Sequence, residues 1–240
     1  MNEIVISVQN VSLHFPRKGS LLDGLKSIFG RNRVDAYCAL KNINFEVYRG
    51  EVLGIIGENG SGKSTILRII TGILPADSGS VLSRGEQTLL AGLGTGFSSH
   101  QTGRENALIF GSILGYSRNK ILSKMDEIIS FSELGEFFDQ PIRTYSAGMK
   151  ARLGLAVASA IEPELLLIDE VLGVGDPKFR EKSKKRILEM VNGAGTVVLV
   201  SHSFALMKSI CSRILHIHNG EVKFIGDPEE AIKSYYSMED

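Results

Sequence analysis

An α/β domain with strands buried on both faces of a parallel sheet is the fold class this 240-residue sequence predicts. Three observations carry it. Glu164–Ile168 and Thr196–Val200 are continuous apolar runs bounded by turn or charged residues, the pattern of strands covered on both faces. Glu51–Ile56 (EVLGII) is a third apolar strand, and it leads through a Gly-rich turn into a helical stretch, Ser64–Thr71. Finally, 26 glycines stand against six prolines, which fits loops that depend on backbone freedom rather than low complexity.

The elements follow in order. Ile4–Val8 and Ile43–Val47 alternate at period two and read as strands. Between them, residues 16–37 form an insertion. It places Leu21, Leu22, Leu25, Ile28 and Phe29 on one helical face, ringed by Arg17, Lys18, Lys26, Arg31 and Arg33. Such a basic amphipathic piece suits lipid headgroups or a partner helix, and equally an apolar stripe packed on its own domain. Thr102–Phe138 reads mostly helical, and Lys150–Ala160 is a long Ala/Leu-rich helix. Lys178–Arg186 (KFREKSKKR) is a basic run on a helix, read as a solvated face. Ile214–Ile217, Asn219-Gly220 and Glu221–Ile225 make a hairpin, and Asp227-Pro228 opens a last helix, Glu229–Tyr236.

Composition narrows the function classes. The 27 Lys and Arg cancel 27 Asp and Glu, so the positive excess of a nucleic-acid binder is missing. With 43% hydrophobic and 22% charged residues, wholesale disorder is excluded. No apolar run reaches the ~18 residues of a membrane span. Met1–Asn10 lacks the layout of a signal peptide. Cys38 and Cys211 match no metal or redox spacing, so they read as reduced thiols of a soluble intracellular chain. Such a chain can still serve a membrane-bound partner.

The chemistry concentrates in a few stretches. Gly57–Ser64 (GENGSGKS) fits G-x-x-x-x-G-K-[ST] between a strand and a helix. Gly57, Gly60 and Gly62 let the loop curl until backbone N–H groups converge on phosphate oxygens, and Asn59, Ser61 and Thr65 complete the cradle. The helix adds its positive end. Lys63 brings a charge to the β- and γ-phosphates, and Ser64 offers a hydroxyl to Mg²⁺. Leu165–Glu170 (LLLIDE) puts two carboxylates at the C-terminal end of a buried strand, where α/β sheets bind ligands. Asp169 is expected to hold Mg²⁺ through water, and Glu170 to polarise the attacking water. His202, after the apolar TVVLV, is expected to reach the γ-phosphate and brace Glu170 or the water. These residues point to nucleoside-triphosphate hydrolysis.

A kinase or a GTPase shares those motifs; Tyr145–Lys150 (YSAGMK) separates them. A small polar turn before a helix makes a second anion-binding end, from Ser146 and the N–H groups around Gly148. Within a monomer that end is redundant. It makes sense when it closes over ATP held by another subunit.

With these motifs in this order over nearly its whole length, the sequence resembles the nucleotide-binding subunits of ABC transporters. The resemblance implies one cassette over residues 1–240. Its fold is a P-loop NTPase with a RecA-like core, an antiparallel β subdomain and a helical subdomain near residues 97–160. Tyr145, Ser146, Ala147, Gly148 and Met149 then form the signature, acting on the ATP of the other subunit in a head-to-tail dimer. Asp176 is the D-loop aspartate and His202 the switch histidine. Phe15 is the aromatic that stacks on adenine, with Tyr37 its competitor.

LLAGLGTGF occupies the place of the Q-loop without a Gln at the expected position, Gln87 lying too early and Gln101 later. Gly94, Gly96 and Phe97 there mark the surface coupled to a permease. YSAGM, DEVLGVGD and LGTGF are together similar to the ATPases of bacterial polysaccharide exporters, and the insertion before Tyr37 is similar to the O-antigen and teichoic acid branch. The implied cofactors are ATP and Mg²⁺. The implied assembly is a homodimer on a dimer of a separate permease, at the cytoplasmic face of the bacterial inner membrane. Its substrate is lipid-linked polysaccharide, O-antigen ahead of teichoic acid or capsule, with no nucleic acid. Ending at Asp240 matches the short type without a C-terminal carbohydrate-binding domain. A soluble ABC-type ATPase working on nucleic acid or ribosomes is disfavoured by the single cassette and the lack of a long coiled coil.

Overall fold

A computed structural model describes residues 3–16, 36–92, 94–161, 163–169 and 177–238. The expectations placed on residues 17–35 of the insertion, on Glu170 and on Asp176 lie outside the described residues. Contacts divide the chain into two compact units, residues 1–84 with 200–240, and residues 85–199.

The first unit contains β1 (Ile4–Pro16), β2 (Ala36–Tyr48), β3 (Val52–Ile56), α1 (Lys63–Ile70) and β4 (Ser78–Ser83). After the second unit the chain returns to it with α7 (Phe204–Ile210), β8 (Arg213–His218), β9 (Glu221–Gly226) and α8 (Pro228–Tyr236). β1 and β2 are much longer than their alternating cores. They pair antiparallel from Ile4↔Tyr48 to Pro16↔Ala36, with register shifts near left-handed Asn10 (φ 52°) and Asn42 (φ 47°). Asn tolerates that conformation better than most residues, so the long ribbon bends there. β4 completes the order β2-β1-β4. Its sequence, SGSVLS, is largely exposed and carries little periodicity, so pairing with β1 rather than local pattern makes it a strand.

β3 pairs in parallel with β8, Ile56 opposite His216, and β8 turns back antiparallel into β9. Asn219 (φ 50°) and Gly220 (φ 75°) supply the two left-handed residues of the hairpin turn. Asp227 caps α8 by accepting from Glu229 N (2.8 Å) and Glu230 N (3.3 Å) ahead of Pro228. A part-buried clasp joins β2, the start of β3 and β8. The Glu51 carboxylate, 7% exposed, accepts from Arg213 Nε (2.6 Å), Arg213 Nη2 (3.0 Å) and Tyr48 N (2.8 Å). Arg213 also donates to Glu46 O and lies over the Tyr48 ring. Both thiols are free, and burial pushes that of Cys211 up to about 12, which leaves it unreactive.

The second unit contains β5 (Gln87–Leu90), α2 (Gly103–Ile113), α3 (Arg118–Ser123), α4 (Met125–Ser132), α5 (Ala147–Ser159), β6 (Leu165–Asp169), α6 (Pro177–Gly193) and β7 (Thr196–Val200). Two 3₁₀ turns, Gly135–Asp139 and Ile142–Thr144, lead into α5. The strand order is β5-β6-β7, with β5 and β6 parallel. Every residue of β7 is buried, as are the first four of β6, which is why these runs lack polar alternation. The basic run on α6 is not simply a solvated face. Lys182 Nζ donates to Phe131 O (2.9 Å) and Glu133 Oε1 (2.6 Å), and Arg186 Nη2 to Glu127 Oε1 and Ser159 O (both 2.6 Å). These bonds tie α6 to α4 and to the end of α5, leaving Lys184 and Lys185 on the exposed side.

Candidate nucleotide-binding site

The Gly57–Ser64 loop runs from the end of β3 into α1, and its three glycines are left-handed: Gly57 (φ 153°), Gly60 (φ 82°) and Gly62 (φ 109°). At Gly57 a Cβ would stand 2.1 Å from Ile217 O, so the loop closes directly against β8. At Gly62 it would stand 2.6 Å from Leu40 Cδ2. Glycine is thus required by close packing as well as by φ.

Five of the loop carbonyls are held by protein donors. Lys63 Nζ donates to Gly57 O and Glu58 O (both 2.7 Å), Ser61 N to Glu58 O (3.1 Å) and Tyr37 Oη to Gly60 O (3.1 Å). Gly220 N donates to Ser61 O (3.1 Å) and Ile66 N to Gly62 O (2.9 Å). With these five carbonyls engaged, backbone N–H groups and the buried Lys63 ammonium supply positive charge at the loop. α1 adds its N-terminus, which carries no side-chain cap and no acidic residue in its first turn. Among the described residues the buried Ser61 hydroxyl has no hydrogen-bond partner. An orphaned hydroxyl, a buried cation and an uncapped helix end together fit the phosphates of a nucleotide. Exposed Asn59 and half-buried Ser64 and Thr65 flank this cradle.

The two aromatic candidates for the base share one face. Phe15 and Tyr37 are direct Cα partners across β1 and β2, which puts their side chains side by side. Both rings are available, at 40% and 46% exposure. Only Tyr37 also reaches the loop, through its bond to Gly60 O.

His202 lies exposed between β7 and α7. Its neighbours are fixed: buried Ser201 Oγ accepts from Ser203 N (3.1 Å), and Ser203 Oγ accepts from Leu206 N (3.4 Å). Asp169, half-buried, is the last residue of β6. No group of three or more His, Cys, Asp or Glu that could hold a metal occurs among the described residues.

The signature residues divide into two kinds. Tyr145 is buried, its hydroxyl donates to Phe137 O (2.6 Å), and burial pushes its pKa up to about 12. A Cβ on Gly103 would stand 2.2 Å from that hydroxyl, so Tyr145 anchors the turn inside the helical region. Ser146, by contrast, is the exposed N-cap of α5, accepting from Met149 N (3.2 Å). Ala147 is exposed and Met149 half-buried, and a Cβ on Gly148 would meet only Ser146 Oγ at 3.8 Å. The N-terminus of α5 is therefore open to close approach.

In the LGTGF stretch Gly94 and Gly96 are both left-handed (φ 85°), and Phe97 packs edge-on to Phe110 at 5.5 Å. The loop after it is clasped by Asn106, which is fully buried. Its amide donates to Ser98 O (3.0 Å), Gln101 O (3.1 Å) and Thr102 O (2.8 Å), and its Oδ1 accepts from Ser98 N (2.7 Å). Thr102 and Glu105 form a capping box on α2. The T-x-x-E spacing announces that cap in the sequence, whereas nothing local marks Asn106. The role of the Asn219-Gly220 turn in backing the loop through Ser61 O was equally invisible.

The ABC transporter family matches residues 40–173, more than half the chain and a span holding the loop, the signature and Asp169. The chain belongs to that family. This ABC cassette is 40% identical over 240 residues to the O-antigen export system ATP-binding protein RfbB of Klebsiella pneumoniae, covering 97% of the cassette and 98% of that protein. It is 39% identical to the teichoic acids export ATP-binding protein TagH of Enterococcus faecalis, covering 97% of the cassette but only 52% of that longer protein. Its fold matches the dimeric ATP-binding cassette MJ0796 in a post-hydrolysis state bound to ADP and Pi, with a TM-score of 0.69 and 25% identity. The match covers 93% of this chain and 98% of that one. Among the cassette's described residues no helix is long and apolar enough to cross a membrane.

Proposed function

We propose that the cassette hydrolyses ATP to drive export of lipid-linked polysaccharide, O-antigen in the first place, through a separate membrane permease. The observation that carries the ATPase half is the loop whose carbonyls are tied back around buried Lys63 and an uncapped helix end. The export half is supported by 40% identity over nearly the full length of an O-antigen export ATP-binding protein. Export of teichoic acid is the second reading, supported by the 39% identity to TagH.

In this mechanism the Gly57–Thr65 cradle holds the triphosphate, while Phe15 and Tyr37 offer the adenine an aromatic face. The Ser64 hydroxyl and Asp169, the latter through water, would hold Mg²⁺, which neutralises charge on the phosphate oxygens when bound. Glu170 polarises the attacking water and His202 steadies it. Two cassettes pair head-to-tail, and the open N-terminus of α5, with Ser146 and Gly148, closes on the partner's ATP. Asp176 belongs to the segment that meets the other cassette. Closure on ATP and reopening after hydrolysis pass to the permease dimer through Gly94, Gly96 and Phe97, with the cassette peripheral at the cytoplasmic face of the inner membrane.

Glu170→Gln tests the chemistry. It is expected to lower ATPase activity at least about a hundredfold while leaving an ATP-dependent dimer visible by size-exclusion chromatography. Hydrolysis at the wild-type rate would refute the water-polarising role. For the substrate, the cassette and its permease are expected to restore surface O-antigen in a strain lacking its own export ATPase. Restoration of surface teichoic acid alone would move the substrate to the second reading.

A further inference from the structure

We propose that Tyr37 is a positioning residue for the phosphate loop, its hydroxyl latching the Gly60 peptide in the orientation that anions require. The inference rests on reading Gly57–Ser64 as the triphosphate site.

Among the three loop glycines, Gly60 alone has no packing to hold it. A Cβ at Gly57 would strike Ile217 O, and one at Gly62 would strike Leu40, but one at Gly60 would meet nothing within 4 Å. The peptide between Gly60 and Ser61 is instead fixed by its two polar ends. Ser61 N donates to Glu58 O at 3.1 Å, and Gly60 O accepts from Tyr37 Oη at 3.1 Å. Because a peptide is planar, these bonds pin one rigid plate from opposite edges. Without the hydroxyl, only the Ser61 N–Glu58 O bond restrains the plate, and it can turn about the Gly60 backbone, which no packing holds. Its carbonyl lone pairs can then swing toward the space where phosphate oxygens would sit.

Phe15 shares the aromatic face with Tyr37 but carries no hydroxyl, so it can recognise a base and cannot set the loop. Tyr37 thereby joins the base end of the site to its phosphate end in a single side chain. It is also the last residue of the 16–37 insertion, so that segment ends on a bond to the phosphate loop.

Two ligands separate the roles: MgATP, and Mg-tripolyphosphate, which has phosphates and no base. Binding to the full chain is measured by calorimetry for wild type, Tyr37→Phe and Phe15→Ala. Tyr37→Phe keeps the ring and removes one exposed oxygen. It is expected to weaken both ligands by about fivefold, equivalent to about 1 kcal/mol at 25 °C. Phe15→Ala is expected to weaken MgATP and leave tripolyphosphate unchanged. If Tyr37→Phe binds tripolyphosphate as tightly as wild type, the latch is wrong, although the site reading stands. If wild type itself binds neither ligand, the site reading falls and the latch with it.

Discussion

Alanine placed at Gly57 and, separately, at Gly60 is expected to have very unequal consequences within the one proposed phosphate loop. Both positions are left-handed, at φ 153° and 82°, so each substitution carries a backbone penalty of about 1–2 kcal/mol. At Gly60 the penalty stops there, because nothing lies within 4 Å of the new methyl group. At Gly57 the methyl carbon would sit 2.1 Å from Ile217 O and 2.6 Å from Ser61 Oγ. The first approach is about an ångström inside ordinary contact, and its oxygen belongs to a strand hydrogen-bonded to β3. Relief requires moving β8 itself. Gly57→Ala should therefore lose more than about 4 kcal/mol, a large part of the 5–15 kcal/mol that holds a typical domain. Gly60→Ala should stay within about 2 kcal/mol of wild type and show its effect in nucleotide binding, since its positive φ sets the course of the loop. Urea unfolding followed by far-UV circular dichroism measures the first quantity, and calorimetric titration with MgATP the second. Equal destabilisation by the two substitutions would refute the packing argument.

Arg213→Met is expected to destabilise the cassette by about 2–3 kcal/mol, measured by urea unfolding. It leaves the buried Glu51 carboxylate with the Tyr48 N–H, and the 30% exposure of Arg213 keeps the cost below that of a fully buried pair. Adding Glu51→Gln should recover part of the loss. For Tyr145, burial raises the folded-state pKa to about 12 from the usual 10, so the folded protein favours the protonated phenol. Its contribution is complete below pH 10 and disappears as the pH rises from 10 through about 12. Tyr145→Phe should cost about 1 kcal/mol at neutral pH and flatten that alkaline fall, seen in unfolding midpoints across a pH series.

Much of the fold was legible from local pattern. The C-terminal hairpin follows from Asn219-Gly220, the last helix from Asp227-Pro228, and the buried strands from unbroken apolar runs, because each signal lies within a few residues of the element it specifies. β4 was not legible, since SGSVLS is a strand by virtue of the β1 edge beside it. The basic run on α6 misled for a related reason. Nothing in KFREKSKKR says that Lys182 will find Phe131 O and Glu133, or Arg186 the end of α5.

The candidate site divides in the same way. By itself the sequence determined the residue types of the proposed phosphate cradle, their spacing and their setting between strand and helix. Those requirements are local, and glycine, lysine and serine meet them through their own chemistry. Tertiary structure alone decided what holds the cradle in shape: Ile217 O against Gly57, Gly220 N on Ser61 O and Tyr37 Oη on Gly60 O. It likewise separated Tyr145, an internal anchor, from Ser146, an exposed cap, although the two are adjacent in the signature. Two of these restraints, Ile217 O and Gly220 N, are backbone atoms. A backbone carbonyl or amide is present at almost every residue, so residue identity does not mark which of them folding will bring to the loop. Tyr37 Oη is marked by its type, but its reach to Gly60 O depends on the pairing of β1 and β2.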